Sequence, residues 1–338
     1  MESEATFIKG AIDKLVRGSG NELKTYLNQV CFNSSVPNTQ TVTHCYHVNL
    51  DGNGRPRVQD FVELIATKIV EYCIPRSEFE KAKQYLITYQ SDSELAKLRR
   101  KAESLFTDLS NSGEGGEILL YILVQEFLKI PQLLCKMPLK TSTQMHYHGV
   151  DGIYGQYDSQ IGLLALYWGE SKLYQSIEAG IAACFKSLTG YLTSPNGSDS
   201  PQERDLQLVK DGLDLNDTNL EDAIVKYFNK DDPSFNKLQY RGVCLVGFDY
   251  EKYPMLPNEI TTEDLNKVVK KEISDWINSV EREIGNHSTL ETFHIHIFLI
   301  PFPSVSKFRE HFLKALNIQP RARPIRKAAK TKAKAKTT

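Results

Sequence analysis

The charged segment Gly169-Glu170-Ser171-Lys172 is the part of the sequence best suited to chemistry. It follows the run IGLLALYW at 161–168, which is apolar on both faces of an extended chain and predicts a buried strand. Residues two apart on a strand face the same side, so Glu170 and Lys172 should point together. A charged pair at the end of a buried strand is costly unless it has a function.

A second carboxylate, Asp151, lies in the preceding predicted strand at 150–157. If the turn lies at 158–160, antiparallel pairing places Asp151 opposite Trp168. It is then one diagonal step from Glu170 on the same face, about 7–8 Å away. A turn shifted by one residue would reverse the facing.

Glu117 supplies a third carboxylate, because it opens an apolar helix predicted over 117–128. Glu114 is the alternative for this role, and we place it in the glycine loop that precedes the helix. An ExK tripeptide alone occurs by chance, and a carboxylate at a helix N-terminus is favourable in itself. The signal is the order: helix with Glu, strand with Asp, strand ending in ExK, helix.

Phosphodiester hydrolysis is the chemistry that this set fits. It needs a divalent ion to neutralise the phosphoryl oxygens, an activated water, and stabilisation of the charge that builds at phosphorus. Magnesium prefers hard oxygen ligands and keeps several waters, so two or three carboxylates and a nearby cation suffice. The candidate active site is Glu117, Asp151, Glu170 and Lys172.

The elements that must position these residues follow from hydrophobic periodicity, with the N-terminal third as scaffold. Helices are predicted at 58–73, 76–88, 92–108, 117–128, 173–189, 204–230 and 262–284, and strands at 42–49, 132–139, 150–157, 161–168, 242–249 and 293–300.

The order of these elements resembles the PD-(D/E)xK nuclease superfamily, which has the restriction-endonuclease-like fold. The segments GEGGEILLYILVQEFLKIP, HGVDGIYG, LLALYWGESKLY, RGVCLVGFDYEKYP and FHIHIFLIPFPS are, more narrowly, similar to the HamA family of the Hachiman antiphage system. This resemblance extends from about Thr43 to Leu316. Val150 stands where the superfamily motif has proline, which weakens the motif match and leaves the chemistry intact.

The resemblance implies an α/β fold with a restriction-endonuclease-like core, in which a mixed sheet is flanked by helices and carries N- and C-terminal elaborations. It implies a bacterial antiphage effector that cleaves DNA together with a HamB-like helicase. Carried over by motif, Asp151 and Glu170 bind Mg²⁺ or Mn²⁺, and Glu117 completes the metal site from its helix. Lys172 would orient the attacking water or help to deprotonate it.

The C-terminal segment is strongly basic, with eight cations and no acid from Arg321 to Thr338. Against a whole-chain charge of −1, these cations leave the rest of the chain at −9. Such a composition cannot bury apolar area, so residues 319–338 are predicted to be a disordered tail after one nuclease domain at 1–318, with its catalytic core at about 110–190. A solubilising tail is the alternative to DNA binding through phosphate attraction. The predicted DNA-binding residues are Arg321, Arg323, Arg326 and Lys327.

Two His-x-His pairs, His146/His148 and His294/His296, leave a metal-dependent phosphohydrolase open as an alternative. FHIHIFLI is also an ordinary alternating strand with histidines on one side, and we favour that structural interpretation for the second pair. A further alternative is a catalytically silent nuclease fold that only binds DNA or a partner.

Several classes of protein are disfavoured. There is no phosphate-cradling GxxxxGK[ST] loop, so any ATP-driven motor must be another protein. The longest apolar runs are too short to span a bilayer, and no secretory leader is visible, so no membrane partner is expected. The six cysteines are scattered without a CxxC pair, which predicts reduced thiols in a cytoplasmic protein.

Overall fold

A six-stranded mixed sheet organises the protein, whose computed structural model describes residues 3–18, 20–106, 112–138, 149–193 and 201–319. The spatial order of the strands is β1-β2-β6-β5-β4-β3. The strands are β1 Leu27–Ser35, β2 Thr41–Val48, β3 Gly152–Asp158, β4 Leu163–Tyr174, β5 Leu238–Asp249 and β6 Ile295–Phe302.

The four inner strands, β2, β6, β5 and β4, run parallel, and each outer strand is antiparallel to its neighbour. The inner strands are buried almost throughout, as the near-continuous apolar sequences of β5 and β6 require when helices cover both faces. Because parallel strands end at the same edge, the carboxyl ends of β4, β5 and β6 lie together. That edge is where open α/β sheets bind ligands.

Helices flank the sheet, and the first and last of them were not predicted from the sequence. They are α1 Glu4–Lys14, α2 Val58–Thr67, α3 Ile69–Cys73, α4 Arg76–Tyr89, α5 Ser93–Glu103, α6 Glu114–Leu123, α7 Ile177–Leu192, α8 Pro201–Gly212, α9 Thr218–Val225, α10 Thr262–Gly285 and α11 Val305–Ala315.

The predicted helices are largely present, with three changes at their boundaries. The helix expected over 58–73 breaks at Lys68 into α2 and α3. The acidic helical stretch predicted at about 204–230 consists of α8, α9 and a short 3-10 turn. The apolar helix α6 begins at Glu114, so Glu114 lies in its first turn and the prediction of a glycine loop there was wrong.

The strand predicted at 132–139 is wrong for its described part. Residues 132–138 contain an isolated bridge from Gln132 to Tyr154 and a short 3-10 turn at 137–138, without a continuous ladder. Leu133, Leu134 and Met137 are nonetheless buried. A short apolar run that is buried without strand pairing cannot be told from a strand by periodicity.

The β3–β4 hairpin places the two strand-borne carboxylates. Gly152 pairs with Gly169 and Asp158 with Leu163, so the turn spans 159–162, where Gly162 has a φ of +67°. The predicted placement of Asp151 opposite Trp168 would have paired Gly152 with Tyr167. The register therefore differs by two residues, which preserves the facing of the side chains.

The buried side chains form one hydrophobic cluster that runs from Ile8 to Leu316 and includes both faces of the sheet. All six cysteines are free thiols, and four of them are buried. Among the described helices, none is long and apolar enough to cross a membrane. Apart from residue 319, the predicted tail lies outside the described residues, and so do its Arg321, Arg323, Arg326 and Lys327. His146 and His148 also lie outside them.

Candidate active site

The ExK segment lies within β4, which continues to Tyr174 instead of ending at 168 as predicted. The strand continues because its parallel partner β5 does, with Glu170 paired to Cys244 and Lys172 to Val246. Glu170 is 4% exposed, whereas the Lys172 side chain is 23% exposed. The charged pair therefore lies at the carboxyl end of an inner strand, with its cation nearer to solvent.

Asp151 is fixed directly beside this segment, at the start of the edge strand. Its backbone N–H donates to the Gly169 carbonyl at 2.8 Å. Its carboxylate oxygen Oδ2 accepts hydrogen bonds from the Ser171 backbone N–H at 2.7 Å and from the Ser171 hydroxyl at 2.8 Å. Ser171, the variable position of the ExK motif, thus orients the carboxylate of Asp151.

The electrostatics of Glu170 and Lys172 are coupled. Lys172 Nζ donates to Glu170 Oε2 at 2.7 Å. Burial and the neighbouring charge of Asp151 raise the pKa of Glu170 to about 8, although Lys172 acts in the opposite direction. Burial disfavours the charge of Lys172, but Glu170 and Asp151 outweigh burial and raise the pKa of the ammonium group. Lys172 is therefore a cation at neutral pH.

Glu117 is linked to Asp151 through Tyr72, a residue of α3. The Tyr72 hydroxyl lies 3.2 Å from Glu117 Oε2 and 3.0 Å from the Asp151 carbonyl oxygen, and it donates toward both. Burial raises the pKa of Tyr72, so this hydroxyl keeps its proton. The N-terminal third, expected to be scaffold, thus supplies a side chain to the site.

Two glycines let α6 approach the sheet closely enough to deliver Glu117. A Cβ on Gly116 would lie 3.3 Å from Ser171 Oγ, and one on Gly115 would lie 3.1 Å from the Phe308 and Phe312 rings. Helix α6 therefore covers the Ser171 face of β4. Helix α7 covers the other face, where a Cβ on Gly180 would clash with Val246.

Lys172 pairs with Val246 and shares its face of the sheet, which α7 covers, and Glu170 lies on the same face because it is two residues away. Glu117 comes from α6, which covers the other face. Glu117 and Glu170 therefore approach Asp151 from opposite faces of the sheet. In the described parts of the chain, no three His, Cys, Asp or Glu side chains form a group that could hold a metal ion. No donor among the described residues reaches Asp151 Oδ1 or Glu170 Oε1. Two hard oxygens are thus available, which fits Mg²⁺, an ion commonly held by one or two carboxylates plus waters and phosphates.

A cleft of about 700 Å³ opens at this site. The cleft is lined by the start of α6, the end of β4 and the helix α11. Its walls include Glu117, Asp151, Ser171, Lys172 and Arg309. The sequence did not single out Tyr72, Ser171 or Arg309. Only Ser171 carried a local signal, as the residue inside the ExK motif.

A buried ion pair supports the backbone that leads into Asp151. Lys136 Nζ lies 3.1 Å from Asp205 Oδ2 and donates to the Val150 carbonyl at 2.7 Å. The Lys136 side chain is 4% exposed and that of Asp205 is fully buried. Arg204 Nε is also 3.8 Å from Asp205, from a more exposed position. The pair joins the buried segment after α6 to α8.

His296 has a structural partner. Its Nδ1 lies 2.9 Å from His44 Nε2, and the other ring nitrogen of His44 accepts the Asn33 N–H at 3.2 Å. Burial lowers the pKa of His44 to about 3 and that of His296 to about 4, so both rings are neutral. This geometry favours the structural interpretation of His296.

The fold and site together define a mixed α/β protein with a carboxylate–lysine cluster in a cleft at the carboxyl end of a parallel strand. No curated protein matches the sequence. A model of the HamA family matches residues 24–316, and the chain belongs to that family. Family membership indicates a component of the Hachiman antiphage defence system.

Proposed function

We propose that this protein is a metal-dependent DNA nuclease, the effector of a Hachiman defence system. The observation that carries the proposal is the contact of Asp151, Ser171, Glu170 and Lys172 at the end of β4, beside an open cleft. The chain order α6, β3, β4, α7 supports a PD-(D/E)xK core, because it brings a helix glutamate, a strand aspartate and the ExK segment to one sheet edge.

Asp151 and Glu170 would hold Mg²⁺ or Mn²⁺, with Glu117 completing the site from α6. When bound, the ion supplies Lewis-acid stabilisation of the phosphoryl oxygens and lowers the pKa of a water. Ser171 fixes the orientation of Asp151. Of the two roles considered for Lys172, its raised pKa favours orientation of the water and charge stabilisation over proton abstraction.

The test is cleavage of DNA by the purified full-length protein, alone and with its helicase, in Mg²⁺ or Mn²⁺ and in EDTA. Glu170→Ala and Lys172→Ala should each reduce cleavage by orders of magnitude, because they remove a metal ligand and the charge beside the attacked phosphate. The exposed residues Glu263 and Lys186 offer matched controls, and their alanine variants should cut normally. Undiminished cutting by the Glu170→Ala/Lys172→Ala variant would contradict the proposal.

The second candidate function is a catalytically silent nuclease fold that binds DNA or a partner. The observation in its favour is that the described residues present no three-ligand metal group. Binding of Mn²⁺ separates the two candidates. A nuclease should bind Mn²⁺ in a way that Glu170→Gln abolishes, whereas a silent fold should bind DNA equally well in Mn²⁺ and in EDTA.

A helicase partner of the HamB type is part of the proposal. The chain carries no ATP-binding loop, and a nuclease with little sequence readout must be restrained in its own cell. A partner that consumes ATP only when it engages DNA would provide that restraint.

A further inference from the structure

Arg309 lines the candidate active-site cleft without belonging to its carboxylate–lysine cluster. It lies on α11, which follows β6 at the same sheet edge where β4 ends. Its Nη2 donates to the Leu173 carbonyl at 2.7 Å, immediately after Lys172 in the strand. Arg309 is thus fixed to the strand that carries the catalytic candidates.

Packing holds α11 firmly in this position. Phe308 and Phe312, which flank Arg309 on the helix, are buried. Both rings contact α6 at Gly115, where no larger residue would fit without displacing them. Arg309 is therefore presented to the cleft by a rigid element, which favours a binding role.

The guanidinium group has no acidic partner in the described chain. Asp249, the carboxylate with the largest effect on it, accepts the Val305 N–H at 2.6 Å and forms no ion pair with Arg309. By contrast, the other cation of the cleft wall, Lys172, is bound to Glu170. A half-buried arginine without a carboxylate is costly, and an anion in the cleft would offset that cost.

We propose that Arg309 binds a backbone phosphate of the DNA strand that occupies the cleft. The planar guanidinium matches phosphate geometry through paired N–H donors, and its charge lies beyond Lys172 toward the end of β4. The phosphate that it binds flanks the one attacked at Asp151 and Glu170. This inference rests on the proposed nuclease function and assigns a substrate-binding residue to it.

The experiment measures binding of a fluorescein-labelled DNA duplex by the full-length protein in EDTA, over a range of salt concentrations. Arg309→Gln should weaken binding several-fold and reduce the slope of log affinity against log salt by about one, because one phosphate contact is lost. Arg309→Lys should retain the slope. Lys314→Gln, on the exposed side of the same helix, should retain both slope and affinity.

An unchanged salt slope in Arg309→Gln would overturn the inference. So would an equal loss of slope and of thermal stability in both Arg309 variants, because that result would mark the residue as purely structural. The proposed nuclease function can be contradicted by a different result. If wild-type protein binds DNA through Arg309 but never cuts it in Mg²⁺, the phosphate site stands and the nuclease does not.

Discussion

At the scale of single residues, the site keeps the carboxylates of Asp151 and Glu170 close together although their negative charges repel each other. Ser171 donates to one oxygen of Asp151, and Lys172 donates to one oxygen of Glu170. Each carboxylate keeps a second oxygen for another ligand. The raised pKa of Glu170 shows that these interactions do not fully offset burial and the charge of Asp151. A divalent cation would offset that remaining unfavourable energy.

The pKa of Glu170 predicts a pH dependence for the metal-free protein. The pKa rises from 4.5 to about 8 on folding, so the folded state holds the proton more tightly. Stability from this group is therefore fully present below pH 4.5 and is lost as the pH rises to about 8. In EDTA, the melting temperature of the wild type should fall relative to Glu170→Gln across this range.

Added Mg²⁺ should flatten this difference, because it competes with the proton for the same carboxylate. Melting curves of the two proteins at several pH values, with EDTA and with Mg²⁺, provide the measurement. Parallel curves for the two proteins at all pH values in EDTA would show that Glu170 ionises normally.

The sequence allowed part of the site to be predicted, for a physical reason. The shared facing of Glu170 and Lys172 follows from the two-residue period of a strand, which is local. Tyr72 reaches Asp151 across 79 positions of the chain, and Arg309 reaches Leu173 across 136. Such contacts depend on how the elements pack, and no spacing in the sequence encodes them.

At the scale of elements, the Lys136–Asp205 pair fixes α8 against the segment that leads into β3. Lys136→Met leaves a buried carboxylate without its closest cation, so it should lower the free energy of unfolding by about 3 kcal/mol. The low end of the usual range applies because Arg204 remains 3.8 Å from Asp205. Chemical denaturation would measure the loss.

The companion variant Lys136→Met/Asp205→Leu should recover most of that stability, since it removes both buried charges. The exposed pair Lys83–Glu80 supplies the control, and Lys83→Met should change stability by no more than about 0.5 kcal/mol. A double variant as unstable as the single one would show that the pair contributes through packing and not through charge.

Elements with strong periodicity were predictable, and those that depend on their neighbours were not. The strands at 242–249 and 293–300 and the helix at 262–284 correspond to β5, β6 and α10 within a few residues. β1 was missed because it is an edge strand with two register irregularities and a polar sequence. Its pairing with β2 defines it more than its own residues do.

At the scale of the whole molecule, the candidate site draws on distant parts of the chain in addition to Glu117 on α6. Tyr72 comes from α3, Asp151 to Lys172 from the hairpin, and Arg309 from α11. A fragment limited to the predicted core at 110–190 would lack the first and the last. It would also lack β5, the parallel partner of the strand that carries Glu170.

At the same scale, the proposed helicase partner would control the proposed nuclease activity. Co-expression with the proposed HamB-like helicase should yield a stable complex that cleaves DNA only when ATP is present, because in this proposal the partner engages DNA before the cleft becomes accessible. Co-purification and a cleavage assay with and without ATP are the measurements. Glu170→Ala should form the same complex without cutting. Full ATP-independent activity of the isolated protein, harmless in cells, would contradict this model.

The sheet order has a consequence for synthesis on the ribosome. β6 lies between β2 and β5, although it is the last strand in the described part of the chain. Until β6 emerges, β2 and β5 have no partner on their shared side, and α11 with Arg309 has yet to follow. At usual elongation rates the delay between β4 and β6 is on the order of ten seconds. The nascent chain therefore carries its carboxylates long before it has a finished cleft, which would keep a nuclease inactive while it is still being made.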